Sequence, residues 1–252
     1  HQIANSCRFN TGASSYMYHT QGTPTNADKC TVSAWVKKGS VTLPIRAFTG
    51  SGYSGIYGWI GFELLGANTL TIINDSGTPG PFFKTTNVYR DPSAWYHIVV
   101  AMDTTQGTPA NRTKIYVNGV QPTSFSIETQ PPLNKDIYMN ASGHKLFVGS
   151  GGDSAGNAYL PFDGLIAEYV FIDGTQYAAS DFGETKNGAW IPKDPSGLTF
   201  GNNGAYLKFE SSSDLGNDSS GNNNDFTLSS ITAADQMLDS PTFGSEGSAN
   251  FA

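Results

Sequence analysis

Charge is the scarcest commodity in this chain. Of 252 residues only 14% are charged, well under the roughly 25% usual for soluble domains. The formal net charge is −7, and Lys37-Lys38 is the only adjacent basic pair. Phosphate backbones are held by clustered Lys and Arg, so nucleic acid is excluded as a partner. No apolar run approaches the roughly 20 residues a bilayer-crossing helix needs, and membrane insertion is excluded with it. No signal peptide is read at the N-terminus; the chain opens at His1 without Met, so the compartment stays open. Sustained helical periodicity is missing, and no internal repeat occurs.

Cysteine is nearly absent too. Cys7 and Cys30 each fall in a strand-like run and share parity with apolar neighbours: Phe9 in one case, Val32, Ala34 and Val36 in the other. Both thiols are expected to face a core. Their spacing is not that of a metal site. A disulfide between neighbouring strands and two buried free thiols are both open.

What is present is Gly, Asn, Ser, Thr and aromatic residues, the composition of many short strands joined by polar loops. The most telling stretch is Trp95 to Gly119. Trp95, His97, Val99 and Ala101 alternate with Tyr96, Ile98, Val100 and Met102. Both faces are largely apolar, as in a strand inside a sandwich. Lys114-Ile-Tyr-Val117 then meets Asn118-Gly119, a hairpin signal because both residues tolerate positive φ. Further strands are expected at Ser6–Phe9, Cys30–Val36, Leu43–Phe48, Trp59–Leu65, Thr69–Ile73, around Phe82-Phe83 and Val88-Tyr89 as a pair, Ser124–Glu128, Ile137–Met139, Lys145–Val148, Leu165–Ile172 and Ala205–Glu210. A helical turn capped by Ser180 is expected at 179–183. These give an all-β fold: one sandwich domain over 1–238, then a C-terminal arm or linker over 239–252.

Several segments together resemble the laminin-G-like, concanavalin A-like jelly-roll superfamily: Cys7-Arg-Phe-Asn10 with Tyr16, Thr31-Val-Ser-Ala-Trp-Val36, Ala94-Trp-Tyr-His-Ile-Val99, Lys114-Ile-Tyr-Val-Asn-Gly119, Leu146-Phe-Val-Gly149 and Phe162-Asp-Gly-Leu-Ile-Ala-Glu168. They span most of residues 1 to 175. The resemblance implies a two-sheet antiparallel jelly-roll sandwich. A narrower resemblance, carried by Arg90 to Gln106, Phe171-Ile-Asp-Gly174, Phe182-Gly-Glu-Thr185, Gly204 to Glu210 and Asp218 to Asn222, is to laminin-G-like proteins of tailed phages, aquatic and cyanobacterial ones especially. It implies a virion component on capsid or tail, with other virion proteins as partners and a homo-oligomeric state. Cys7 and Cys30 depart from that pattern, where larger apolar residues are common, which adds weight to a disulfide. The segment Tyr206 to Asn224 resembles one that precedes the Thr31-to-Val36 strand in ordinary laminin-G-like domains. Circular permutation is preferred over a second truncated module, because too little chain follows for another core.

The superfamily also serves glucanases, which carry a strand reading "E-x-D-x-x-E" to place two carboxylates on one face. No such cluster occurs here, and Glu168 and Asp173, five residues apart, are expected on opposite sides. The chain is therefore read as no enzyme, with no cofactor required. The resemblance makes His97 a structural residue beside Trp95; no Gly-x-Ser-x-Gly nucleophile motif occurs. Asp218, Asn222, Asn224 and Asp225, with Asp103 as a further donor, are candidate calcium ligands; Asx and Gly residues equally build turns without metal. Tyr53, Tyr57 and Trp59 are the candidate ligand contacts. With Ile60 and Phe62 in the core, they are expected on the outer face, stacking on sugar rings or burying in a subunit interface. The leading reading is a non-catalytic virion protein that decorates the particle and binds host-surface polysaccharide. A purely structural cement protein and a polysaccharide hydrolase are the alternatives.

Overall fold

The structure is a computed structural model, and it describes residues 1–39, 45–53, 55–63, 68–75 and 83–242. Its strands in chain order are β1 (Ser6–Phe9), β2 (Tyr16–Thr20), β3 (Lys29–Lys38), β4 (Ile45–Tyr53), β5 (Ile56–Glu63), β6 (Thr69–Asp75), β7 (Phe83–Val88), β8 (Tyr96–Asp103), β9 (Thr113–Val117) and β10 (Phe125–Glu128). There follow β11 (Lys145–Val148), β12 (Gly151–Gly152), β13 (Ala158–Tyr159), β14 (Gly164–Asp173), β15 (Gly183–Lys186), β16 (Ala189–Pro192), β17 (Ala205–Leu207), β18 (Thr227–Ser229) and β19 (Gln236–Met237). Among the described residues the only helical pieces are single 3-10 turns.

Two antiparallel sheets result. One runs β19-β1-β14-β3-β8-β9, with β17 also paired to β14; the other runs β10-β7-β6-β5-β4-β11-β2-β18. The alternation read from sequence sorts their side chains. Val32, Ala34, Val36, Ile98, Val100, Phe48, Ile60, Phe62, Leu146 and Val148 meet in one core between the sheets. This is a two-sheet jelly-roll sandwich. The last two strands return to the first two, β18 to β2 and β19 to β1, while β17 pairs with β14.

The apolar second face of β8 has its own cover. Val99, Val170, Ile172, Phe182, Phe200 and Tyr206 form one outer cluster, and Ile3, Trp35, Trp95 and Ala167 another. The β15–β16 hairpin is pinned there by Trp190, which packs on both.

Some strand expectations are corrected. Ile137–Met139 is not a strand; Tyr138–Asn140 forms a 3-10 turn, its backbone closed locally by Asn140 N–H to Ile137 O. The pair expected around Phe83 and Val88 is one strand, β7. The 3-10 turn at Ala179–Asp181 is closed by Asp181, which accepts the Ala178 N–H, not by Ser180. Leu43, Leu64, Leu65 and Phe82 lie outside the described residues.

The disulfide reading fails. Both cysteines are buried in the core and free. Cys7 pairs with Ile166, which pairs with Val36, so Cys30 lies six residues further along β3 and two strands over. At about 3.3 Å per residue that is on the order of 20 Å, far beyond disulfide reach. Burial pushes both thiols well above their ordinary pKa.

Residues 239–242, at the head of the expected arm, pack on the sandwich. Asp239 accepts Lys37 Nζ at 2.7 Å and Trp95 Nε1 at 3.1 Å, and Thr242 Oγ1 accepts Ile3 N–H at 2.9 Å. Residues 243–252 lie outside the described residues.

Candidate functional site

Ile60 and Phe62 do fill the core, so Trp59 points the other way, yet it is only 2% exposed. The β12–β13 hairpin roofs it. A Cβ added at Gly151 would stand 3.2 Å from Trp59 Cβ, and one at Gly152 would stand 2.5 Å from the Ser51 carbonyl carbon. Two glycines in a row are what lets one backbone lie on another here. Sequence could not show this, because the roof comes from a segment about 90 residues away. Trp59 is therefore part of a packed layer, not an open platform.

Tyr53 is different: it is 51% exposed at the end of β4. Its ring packs against His144 with centroids 5.5 Å apart, and His144 stacks on Tyr138 at 6.2 Å with the planes 9° apart. Lys135 Nζ stands 5.0 Å over the Tyr138 ring. His144 is held at Nδ1 by Ser51 Oγ at 3.5 Å, and burial lowers its pKa. The result is a braced aromatic ledge with a cation beside it. Tyr57, half-buried, lies across from Gly52 on β5. Sequence reasoning missed His144 and Tyr138, which lie far along the chain.

The oxygen-rich loop folds on itself. Asp218 Oδ1 accepts the backbone N–H of Tyr206 and of Ser220, each at 2.8 Å; its Oδ2 accepts Ser220 Oγ at 2.7 Å and Asn224 N–H at 3.0 Å. Asp225 Oδ1 accepts the Asp218 N–H, and the amides of Asn222 and Asn224 donate to Gly204 O. Calcium needs free oxygens turned toward one point; both Asp218 oxygens and Asp225 Oδ1 are turned to N–H and O–H donors of the loop and of Tyr206. Asp103 is engaged elsewhere, with Thr105, Gln106 and Lys29. Among the described residues no group of three acidic, His or Cys side chains is arranged to hold a metal. The loop's hydrogen bonds are those of an Asx-rich turn.

His97 is buried between two indoles, 4.6 Å from Trp35 and 6.0 Å from Trp190 by ring centroids. Trp190 Nε1 donates to its Nδ1 at 2.9 Å, and Ser33 Oγ lies 2.9 Å from its Nε2. An indole N–H only donates. Nδ1 must therefore accept, Nε2 carries the proton, and the imidazole donates to Ser33. That is the wrong direction for a base that would activate a serine. Burial drives the imidazole pKa down to about 3. Ser33 and His97 are adjacent, but they form a structural relay.

One acidic site was not legible. The register of β14 against β3 slips between Ala167 and Val170, and Glu168 at the slip has φ +47°. That left-handed backbone costs a non-glycine residue roughly 1 kcal/mol or more. Glu168 falls on the outer face with Val170 and Ile172, opposite to Asp173, as the alternation had it; the bulge instead reverses the parity of Ile166, which is in the core, and Ala167, which is outside. Glu168 Oε1 accepts Tyr206 OH at 2.7 Å and pairs with His1 Nε2 at 2.6 Å. Burial raises the Glu168 pKa, and the bond to it raises that of His1. His1, Gln2, Glu168, Tyr206, Lys208 and Glu210 line a cavity of about 150 Å³. Asp173 lies at the far end of β14, accepting Thr25 N–H, Asn26 N–H, Asn203 N–H and Asn140 Nδ2.

Solved structures of similar course include the heptameric SAP-like pentraxin of Limulus polyphemus (14% identity, 68% of this chain and 77% of that one, TM-score 0.49). Others are Trypanosoma rangeli sialidase with sialic acid (14%, 60% and 22%, 0.40) and the Ruminococcus gnavus IT-sialidase CBM40 with α2,3-sialyllactose (12%, 56% and 73%, 0.41). The chain thus spans about a fifth of that first sialidase. No curated protein matches it. The family model Laminin_G_3, described as the concanavalin A-like lectin/glucanases superfamily, matches residues 11–180, from β2 through β14 to the 3-10 turn after it. With two antiparallel sheets closing on one core and well over half its length within that match, the chain belongs to the Laminin_G_3 family of the concanavalin A-like lectin/glucanases superfamily.

Proposed function

We propose that this protein is a non-catalytic, saccharide-binding sandwich displayed on a phage particle, on capsid or tail, where it decorates the virion and contacts host-surface polysaccharide. The family is one of lectins as well as glucanases. The observation that carries the binding half is the half-exposed Tyr53 ring braced by His144 and Tyr138. Aromatic faces stack on the C–H surface of sugars, and a bracing partner removes the entropy cost of fixing the ring. The displayed half rests on the resemblance of Arg90 to Gln106 and the segments after it to tailed-phage proteins.

The two halves are tested separately. Glycan-array binding that falls at least tenfold in Tyr53→Ala, with the melting temperature unchanged, is expected; no binding by the wild type, together with a stable oligomer, favours a cement role. Mass spectrometry of purified virions is expected to find the chain, and its absence there refutes the placement.

A hydrolase reading has one observation behind it: Glu168, buried with a raised pKa, lines a cavity together with Glu210. Release of reducing sugar by pure protein, abolished in Glu168→Gln, would establish it. Its weakness is that the acid's Oε1 is already taken by Tyr206 and His1.

A further inference from the structure

A buried ammonium without a carboxylate bonded to it is costly, and among the described residues this sandwich holds one. Lys38 ends β3 with the parity of Val32, Ala34 and Val36, so its side chain enters the space between the sheets, where it is 2% exposed. Its Nζ lies 5.3 Å from the centroid of Phe62 and 5.9 Å from that of Tyr96. Tyr89 packs edge-on against both rings. Nζ donates to the Tyr89 carbonyl oxygen and to Asn68 Oδ1, the latter at 3.2 Å. Asn68 is itself buried, and its backbone oxygen accepts the Tyr89 N–H at 2.8 Å. Amine and side-chain amide are thus held in one closed ring of hydrogen bonds at the mouth of β6.

Among the described residues no carboxylate bonds to this amine. Asp91, exposed, acts on it only through its charge; Tyr89 and Tyr96, the other titratable groups beside it among the described residues, have pKa values raised by burial and stay neutral. Burial lowers the Lys38 pKa to about 8. A desolvated lysine of this kind is a nucleophile near neutral pH, and the 3.2 Å contact to Oδ1 holds the amine beside the side-chain amide whose carbon it would attack.

We propose that Lys38 and Asn68 condense into an intramolecular isopeptide bond that joins the two sheets covalently. The neutral amine attacks Cγ of Asn68, the Nζ–Cγ bond forms, and the Cγ–Nδ2 bond breaks. One Nζ proton passes to Nδ2, which leaves as ammonia; nothing is oxidised or reduced. The product removes the buried charge and leaves an amide N–H for the Tyr89 carbonyl. It ties β3 to the start of β6 in a sandwich whose two thiols are too far apart to do so.

Intact-mass spectrometry tests this on the full chain. The chain dissolved from inclusion bodies in urea is expected at its sequence mass. After refolding at pH 8 to 9 it is expected lighter by one ammonia, with a Lys38–Asn68 cross-linked peptide pair on digestion. Lys38→Met is expected to keep the full mass, and Asn68→Asp to lose one water instead. A refolded wild type that holds its sequence mass through prolonged incubation overturns the proposal. So does an ammonia loss that persists in Lys38→Met, which would mark succinimide formation at a site such as Asn118-Gly119.

Discussion

Acidification is expected to loosen this sandwich through His97 before most carboxylates are protonated. In the fold the imidazole is enclosed by Trp35, Trp190 and Ser33, and its pKa falls from 6.5 to about 3 by burial. A base whose folded pKa is depressed stays neutral in the native state while the unfolded chain takes up a proton. The stability that neutral His97 supports is therefore complete above pH 6.5 and is lost as pH falls from 6.5 toward 3. Each pH unit within that window costs about 1.4 kcal/mol, so roughly 2 kcal/mol is lost by pH 5. His144, its pKa also lowered by burial, acts in the same sense, and His1, with its raised pKa, in the opposite one. The comparison must therefore be between wild type and His97→Gln. Urea unfolding at half-unit pH steps should give a wild-type stability that falls more steeply below pH 6.5 than the variant's, by close to one proton. A native-state imidazole that titrates near 6.5 by NMR, or identical pH slopes for the two proteins, would refute the reasoning.

Three other outcomes are expected. Gly149→Ala places a methyl 2.0 Å from the Phe9 ring at φ +81°, so it should destabilise by on the order of 3 kcal/mol, read as a lower urea midpoint at unchanged slope. Asp218→Asn turns an amide toward four donors that now converge on a carboxylate, and should cost about 3 kcal/mol, while calcium or a chelator leaves the wild-type melting temperature unmoved. Two thiols should titrate after denaturation without reductant, and reductant should leave the melting curve unchanged, because Cys7 and Cys30 are free.

The regular part of the fold was legible for a simple reason: a strand's alternation is written in consecutive residues. Cys30 to Val36 and Tyr96 to Asp103 announce both their strand and their core side, and the two pair in the structure. Where alternation was interrupted, counting could not be carried through. Glu168 was correctly placed opposite Asp173, but a one-residue bulge reversed the parity of Ile166 and Ala167 beyond it, which no residue count announces. Trp59 was assigned to the outside correctly and to solvent wrongly, because burial also depends on what else in the chain comes to lie on that face.

Local chemistry, then, is what the residues determined alone: short strands, turns at Asn118-Gly119 and Asp218 to Asn224, an inward parity for each cysteine, and a low, net negative charge. Tertiary structure decided everything that needs two distant segments. It separated the thiols, roofed Trp59, braced Tyr53 with His144 and Tyr138, turned the Asp218 oxygens onto backbone donors, and brought Lys38 to Asn68. The physical reason is that hydrogen bonds and packing act over a few ångströms of space, and a sequence reports such distances only where neighbours in space are also neighbours along the chain.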